Sequence, residues 1–169
     1  MPRLAALSPP AVLLALAPLV VASCSGAGSS ERFRSGAITV TDVIMQQPMT
    51  FGGEGGAGST LYFTVLNGGG SDDTLLAVRS DRVGEAALHG VDSKGMMEVA
   101  SAIAVPAGGR LRLRPGGYHV MLSRLSGAPA AGDTIPFELT FRHAGSLQVR
   151  APVVPLTGMQ EALDRAARR

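Results

Sequence analysis

From Ile38 onward, apolar and polar residues alternate in short runs broken by glycine and proline. Ile38-Thr-Val-Thr-Asp-Val-Ile44 and Leu61-Tyr-Phe-Thr-Val-Leu66 open the series. Thr74 to Val78, Glu85 to His89, Met96 to Val99, Ile103 to Val105, Arg110 to Leu113 and Tyr118 to Leu122 continue it. Phe137 to Arg142 and Leu147 to Val154 close it as a hairpin around Ala144-Gly145. A period of two sends alternate side chains to opposite faces, so each run predicts a strand with one face on a core. Asn67-Gly-Gly-Gly70, Ser93-Lys-Gly95, Pro106-Ala-Gly-Gly109 and Arg114-Pro-Gly-Gly117 supply turn chemistry between the runs. Short strands with turns between them, one roughly every ten residues, predict an all-β domain. The expected architecture is a small Greek-key β-sandwich over residues 37–153.

The two ends depart from this pattern. Arg3 precedes an apolar stretch, Leu4 to Val21, interrupted by Ser8, Pro9 and Pro10. Val21-Ala22-Ser23-Cys24 then brings small residues up to the only cysteine. A basic start, an apolar run and a small-residue site mark export. The segment is similar to a bacterial lipobox, in which the cysteine thiol takes a diacylglyceryl group and becomes the new N-terminus. Residues 1–23 are therefore expected to be a lipoprotein signal peptide. Residues 24–36 would be the lipidated Cys24 and a flexible tether of small polar residues. This places the protein outside the cytoplasm, lipid-anchored to the bacterial cell membrane; a lipoprotein carries at least two acyl chains, enough for stable attachment. Residues 154–169 read as a C-terminal tail. Thr157 and Gln160 fit a capping box and Arg168 and Arg169 suit a helix end, but a segment this short and polar predicts a frayed short helix or disorder.

Charge and cysteine content narrow the function. The net charge is +2 with 17% charged residues, and the basic residues form no cluster of the nucleic-acid-binding kind. Arg110, Arg112 and Arg114 alternate with Leu111 and Leu113, which reads as the solvent face of a strand. With Cys24 given to lipid, no thiol is left for a disulfide, a catalytic cysteine or a thiolate metal site. A blue-copper electron carrier needs such a thiolate and is excluded with them. The glycine-rich Phe51 to Gly58 lacks the Gly-Lys-Ser/Thr ending of a phosphate loop. No Ser-His-Asp set or carboxylate pair is recognisable, so the chain is read as a non-enzyme.

Four residues carry the remaining chemistry: His89, Met97, His119 and Met121. In a strand His119 and Met121 share a face. His89 and Met97 flank a tight turn that can bring them together. Imidazole and thioether donors are all neutral and suit a soft, low-charge metal, above all Cu(I). Met96 competes with Met97 for the same role. Met45, Met49 and Met159 read as core fillers or surface residues, and His143 as a solvated histidine.

His89, Met97, 21 intervening residues and then His119-Val-Met121 resemble the periplasmic copper chaperone PCu(A)C family. Its motif is His, ten residues, Met, 21 residues, His-x-Met. Ala87-Leu-His89, Gly95-Met-Met97, Val105-Pro-Ala-Gly-Gly109, Arg114-Pro-Gly-Gly-Tyr-His-Val-Met-Leu122, Ile38-Thr-Val-Thr-Asp42 and Tyr62-Phe-Thr carry the likeness further. One departure is visible: seven residues separate His89 from Met97, against the family's ten, so the hairpin tip is shorter. The count favours Met97 over Met96.

The resemblance implies a cupredoxin-like β-sandwich that binds one Cu(I) ion. It also implies delivery of that ion to a copper-acceptor protein, an oxidase copper-site subunit during cytochrome c oxidase assembly. Copper buffering without a dedicated acceptor is the alternative within the same chemistry. A metal-free β-sandwich lipoprotein that binds some other partner is the alternative outside it.

Overall fold

The computed structural model describes residues 31–50, 57–92 and 94–168. The elements in chain order are β1 (Phe33–Ser35), β2 (Ile38–Gln46), β3 (Met49–Thr50), β4 (Ala57–Asn67), β5 (Asp73–Arg79) and β6 (Val83–Val91). They continue with β7 (Met97–Val99), β8 (Ile103–Val105), β9 (Arg110–Arg112), β10 (His119–Leu125), β11 (Thr134–Phe141), β12 (Gly145–Val154) and α1 (Leu156–Ala167).

The strands form one curled sheet in the order β7-β6-β10-β4-β2-β12-β11-β5-β8, with β1 on β2, and β3 and β9 on β4. One half runs from β7 to β2, the other from β12 to β8. Their inner faces meet in a single core. Val40, Phe63, Val65, Val120 and Leu122 enter it from the first half; Leu75, Phe137, Leu139, Phe141 and Val149 enter from the second. The expected alternation is plain in β11, where Ile135, Phe137, Leu139 and Phe141 are buried and their neighbours face outward. Neighbours are antiparallel except β2 and β12, which join in parallel through Val153 with Met45 and Val154 with Gln46. Non-sequential neighbours of this kind are the crossovers of a Greek-key sandwich.

A bulge in β2 gives the outer face its second apolar cluster. The register with β4 shifts between Thr41 and Ile44, and Asp42 sits at φ 57°. Aspartate tolerates that left-handed region better than most residues, and the extra residue bends the strand. Val43 then enters the main core while Ile44 joins Tyr62 and Met159 on the opposite face.

Two expectations need correction, and one short strand had no expectation. The stretch 24–36 is not tether throughout, because Phe33–Ser35 pair with Ile38–Val40 and Phe33 packs on the core. Three residues with two polar side chains are too short to show a period. Residues 156–167 form a helix, and neither Thr157 nor Gln160 caps it; the N-cap is Pro155, with no side-chain cap bond. Tertiary packing stabilises it instead: Met159, Ala162 and Leu163 lie against Ile44, Tyr62 and Val154. Met49–Thr50, unassigned by pattern, pair with Ala57 and Gly58 as β3. The signal segment 1–23, Cys24 and most of the Phe51 to Gly58 loop lie outside the described residues.

One buried acid ties the closing hairpin to β5. The Asp73 carboxylate accepts the backbone N–H groups of Thr74 at 2.7 Å, His143 at 2.9 Å and Ala144 at 3.0 Å. Burial alone would raise its pKa, but these donors and the nearby His143 together hold it below the ordinary aspartate value.

Candidate metal centre

β10 starts at His119, two residues after the Gly116-Gly117 turn, and runs between β6 and β4. Its antiparallel register with β6 sets His119 opposite His89, Val120 opposite Leu88 and Met121 opposite Ala87. Directly paired residues share a face. Val120 and Leu88 go into the core, so His119, His89 and Met121 project from the outer face. The two imidazole rings stand 5.3 Å apart between centroids, tilted by 46°.

The edge strand β7 adds the fourth residue. It pairs His89 with Val99 and Val91 with Met97. Met97 therefore lies on the outer face, diagonal to His89, a relation that spans about 7–8 Å. Met96 precedes the ladder and belongs to the turn. The turn is organised by Asp92, a residue the sequence reading passed over. Asp92 N–H donates to the Met96 carbonyl at 2.9 Å, and Asp92 Oδ1 accepts from Lys94 N and Met96 N, each at 2.8 Å. Gly95 takes φ 79°. Asp92 and Gly95 at this spacing are a recognisable Asx-turn signal, and the turn closes the shortened tip.

The two imidazoles differ in their hydrogen bonding. His119 Nδ1 lies 2.9 Å from the Gly117 carbonyl oxygen, and the residue is 7% exposed. A carbonyl can only accept, so Nδ1 holds the proton and Nε2 keeps its lone pair. Gly117 is thus a positioning residue, signalled in the sequence only as part of a turn. His89 Nδ1 is buried with no hydrogen-bond partner. An orphaned buried polar atom costs roughly 1–3 kcal/mol, and a metal ion at that nitrogen would satisfy it. Among the described residues, no group of three or more His, Cys, Asp or Glu side chains is placed to hold a metal. As a donor set, these two imidazoles and two thioethers would be neutral and half sulfur, which suits a soft, low-charge ion better than Zn(II) or Ca(II).

The walls of the site differ. Val120 pairs with Leu61 of β4, which sets Tyr62 next to His119 on the outer face. Tyr62 packs with Ile44 beneath Met159, so α1 closes the β4 side. Burial raises the Tyr62 hydroxyl above its ordinary pKa, against a smaller opposing effect of the Thr60 hydroxyl that bonds it. On the other face of the sheet, behind the histidines, the Tyr118 ring packs over Gly90, where an added Cβ would stand 2.9 Å from it. The β7 edge is open: Met96, Met97 and Val99 are 65%, 63% and 71% exposed.

The expected site residues are therefore placed as follows. His89, His119 and Met121 are neighbours on two paired strands, and Met97 joins their face from the edge. Met45 and Met159 are buried, in the main core and under α1 respectively, while Met49 and His143 are exposed.

The fold has known counterparts. A copper-bound PCuAC domain from PmoF2 superposes with a TM-score of 0.63 at 26% identity, covering 74% of this chain and 98% of that domain. The apo PmoF2 PCuAC domain gives 0.64 at 26% identity over 76% of this chain and 98% of that one. The solution structure of CuI-DR1885 from Deinococcus radiodurans shares the fold, with a TM-score of 0.53 at 22% identity over 66% of this chain and 76% of that one. The fold is thus the cupredoxin-like β-sandwich of PCuAC domains. In sequence, the "Putative lipoprotein Lxx21020" of Leifsonia xyli subsp. xyli (strain CTCB07) is 32% identical over 111 residues, 63% of this chain and 67% of that protein. The model of the family described as "Putative lipoprotein LpqE-like" matches residues 38–153, the whole of the sandwich from β2 to β12. The chain belongs to this LpqE-like lipoprotein family.

Proposed function

We propose that this chain is a membrane-tethered, extracytoplasmic copper chaperone that carries one Cu(I) ion on His89, Met97, His119 and Met121. The observation that supports it best is the cross-strand pair of His89 and His119. Their rings face each other at 5.3 Å on the face that also bears Met121 and Met97. One side is pre-oriented by the Gly117 carbonyl, and the other presents an orphaned nitrogen. A copper-bound domain of the same fold at 26% identity supports the choice of metal.

The donors match the cargo. Four neutral ligands leave Cu(I) a single positive charge, tolerable beside a largely buried imidazole. Thioethers need no deprotonation, so copper uptake releases fewer protons than at a thiolate site. Met97 is the ligand that an incoming protein can reach, being 63% exposed on an edge strand. Transfer then proceeds by exchange at Met97 first, with the buried His119 released last. Delivery, not chemical conversion, is the activity of such a site, and an oxidase copper-site subunit is the acceptor we favour.

The test is an anaerobic Cu(I) competition titration against a chromogenic chelator, with the Met97→Ala and His119→Ala variants alongside. One tight equivalent, lost or much weakened in both variants, is the expected result. Binding no tighter than that of the variants would leave a metal-free β-sandwich lipoprotein as the better account. An apo acceptor that gains no copper from the loaded chain would remove the delivery step alone.

A further inference from the structure

The sheet register gathers arginines that are far apart in sequence. Arg34 of β1 pairs with Thr39, Thr39 with Leu66, and Leu66 with Arg110 of β9. One level along, Thr41 pairs with Thr64 and Thr64 with Arg112. Val40, Val65 and Leu111, which alternate with these residues, are buried in the core. Arg34, Arg110, Arg112 and the following Arg114 are all exposed, and the pairing puts them on the outer face of the β1-β2-β4-β9 region. The ion pairs among the described residues involve Arg124, Arg150 and Arg165, and none of these four. Arg112 and Arg114 also line a cleft of about 260 Å³ against α1, together with Tyr62, Leu163, Asp42 and Asp164.

We propose that this arginine face docks on the anionic phospholipid headgroups of the membrane to which the chain is anchored. The proposal rests on the lipid-anchor reading. Guanidinium groups match phosphate oxygens in a bidentate manner that ammonium groups do not, and all but one of the chain's 15 basic residues are arginine. The anchor makes a weak attraction sufficient. Seven chain steps, with six residues between, run from Cys24 to Glu31, where the described structure begins two residues before β1. At about 3.5 Å per residue they reach about 25 Å at most, so the face is held at high local concentration beside the headgroups. Each basic residue near an anionic surface strengthens attachment about fivefold. Docking would fix which way the copper-carrying edge points relative to the bilayer.

The test is amide hydrogen exchange on the full chain in nanodiscs of phosphatidylcholine alone and of phosphatidylcholine mixed with phosphatidylglycerol. Backbone exchange around 108–116 and 33–36 is expected to slow about fivefold or more in the anionic discs. The slowing should vanish at about 1 M salt, where the Debye length falls to about 3 Å, and in the triple variant Arg110→Ser, Arg112→Ser, Arg114→Ser. That variant changes only exposed side chains, and unaltered exchange in β4 and β10 together with unaltered Cu(I) affinity shows that it folds. Equal exchange in the two kinds of disc overturns the proposal. So does protection produced by added nucleic acid and not by anionic lipid, which would assign the face to nucleic acid. If the anchor reading itself fails, the chain is absent from both kinds of disc, and the proposal falls with it.

Discussion

Val91 and Met97 are paired across the β6–β7 hairpin, and that pairing decides which of two adjacent methionines shares a face with His89. Met97→Leu keeps the volume and removes the sulfur, so Cu(I) affinity should fall at least about tenfold, or about 1.4 kcal/mol. Met96→Leu should leave it nearly unchanged. A chelator titration of both variants checks this, and a larger effect at Met96 would reverse the assignment.

Copper binding should also report itself as stability. A ligand that binds only the folded state adds about 2.7 kcal/mol when free at 100 times its Kd. The loaded chain should therefore unfold at higher urea than the apo chain under anaerobic conditions, and His119→Ala should abolish the difference. An apo and a loaded chain with coincident curves would count against the site.

Helix α1 stabilises the sandwich without supplying a ligand. Met159 is 5% exposed between α1 and the Ile44–Tyr62 pair. Met159→Ala should lower unfolding free energy by about 2–5 kcal/mol through lost burial and a cavity. Cu(I) stoichiometry should remain at one. Urea denaturation and the titration together separate the two roles; loss of copper with stability intact would mean that α1 shapes the site directly.

Asp73 should impose a dependence on acid. Its folded pKa is lowered, so its stabilisation is fully present above the unfolded value of about 3.9 and disappears as pH falls through the lower folded value. Asp73→Asn keeps the shape but removes the charge received by three backbone donors. It should cost about 1.5–3 kcal/mol near neutrality, and the gap from the parent should narrow below about pH 4. Urea midpoints measured across pH test the sign: a gap that widens in acid would contradict it.

Much of this architecture was legible because strands such as β11 and β12 alternate. Ile103–Val105 was placed to the residue, and β5, β6, β11 and β12 within a few residues of their ends. His119 and Met121 could be assigned one face from their spacing alone. The direct pairing of His119 with His89 could not, because 29 residues lie between them and their register depends on turns at both ends. The arginines show the same limit. Arg110, Arg112 and Arg114 read locally as a solvated face, and only the β1-β2-β4-β9 register brings Arg34 onto it. Helix α1 was legible only as a frayed helix or disorder, for another reason: it packs on Ile44 and Tyr62, more than ninety residues upstream.

The parallel seam between β2 and β12 bears on how such a chain matures. β12 lies between β2 and β11, so the last strand of the sandwich bridges its two halves. Without Gly145–Val154, no strand pairing among the described residues would join the half that holds β2 and β4 to the half that holds β11 and β5. For a chain exported N-terminus first, as the proposed lipid anchor would require, the two halves could be joined only after Gly145–Val154 had crossed. Joining the halves would then be a late step, its pace set by pairs such as Met45 with Val153 that lie far apart in sequence.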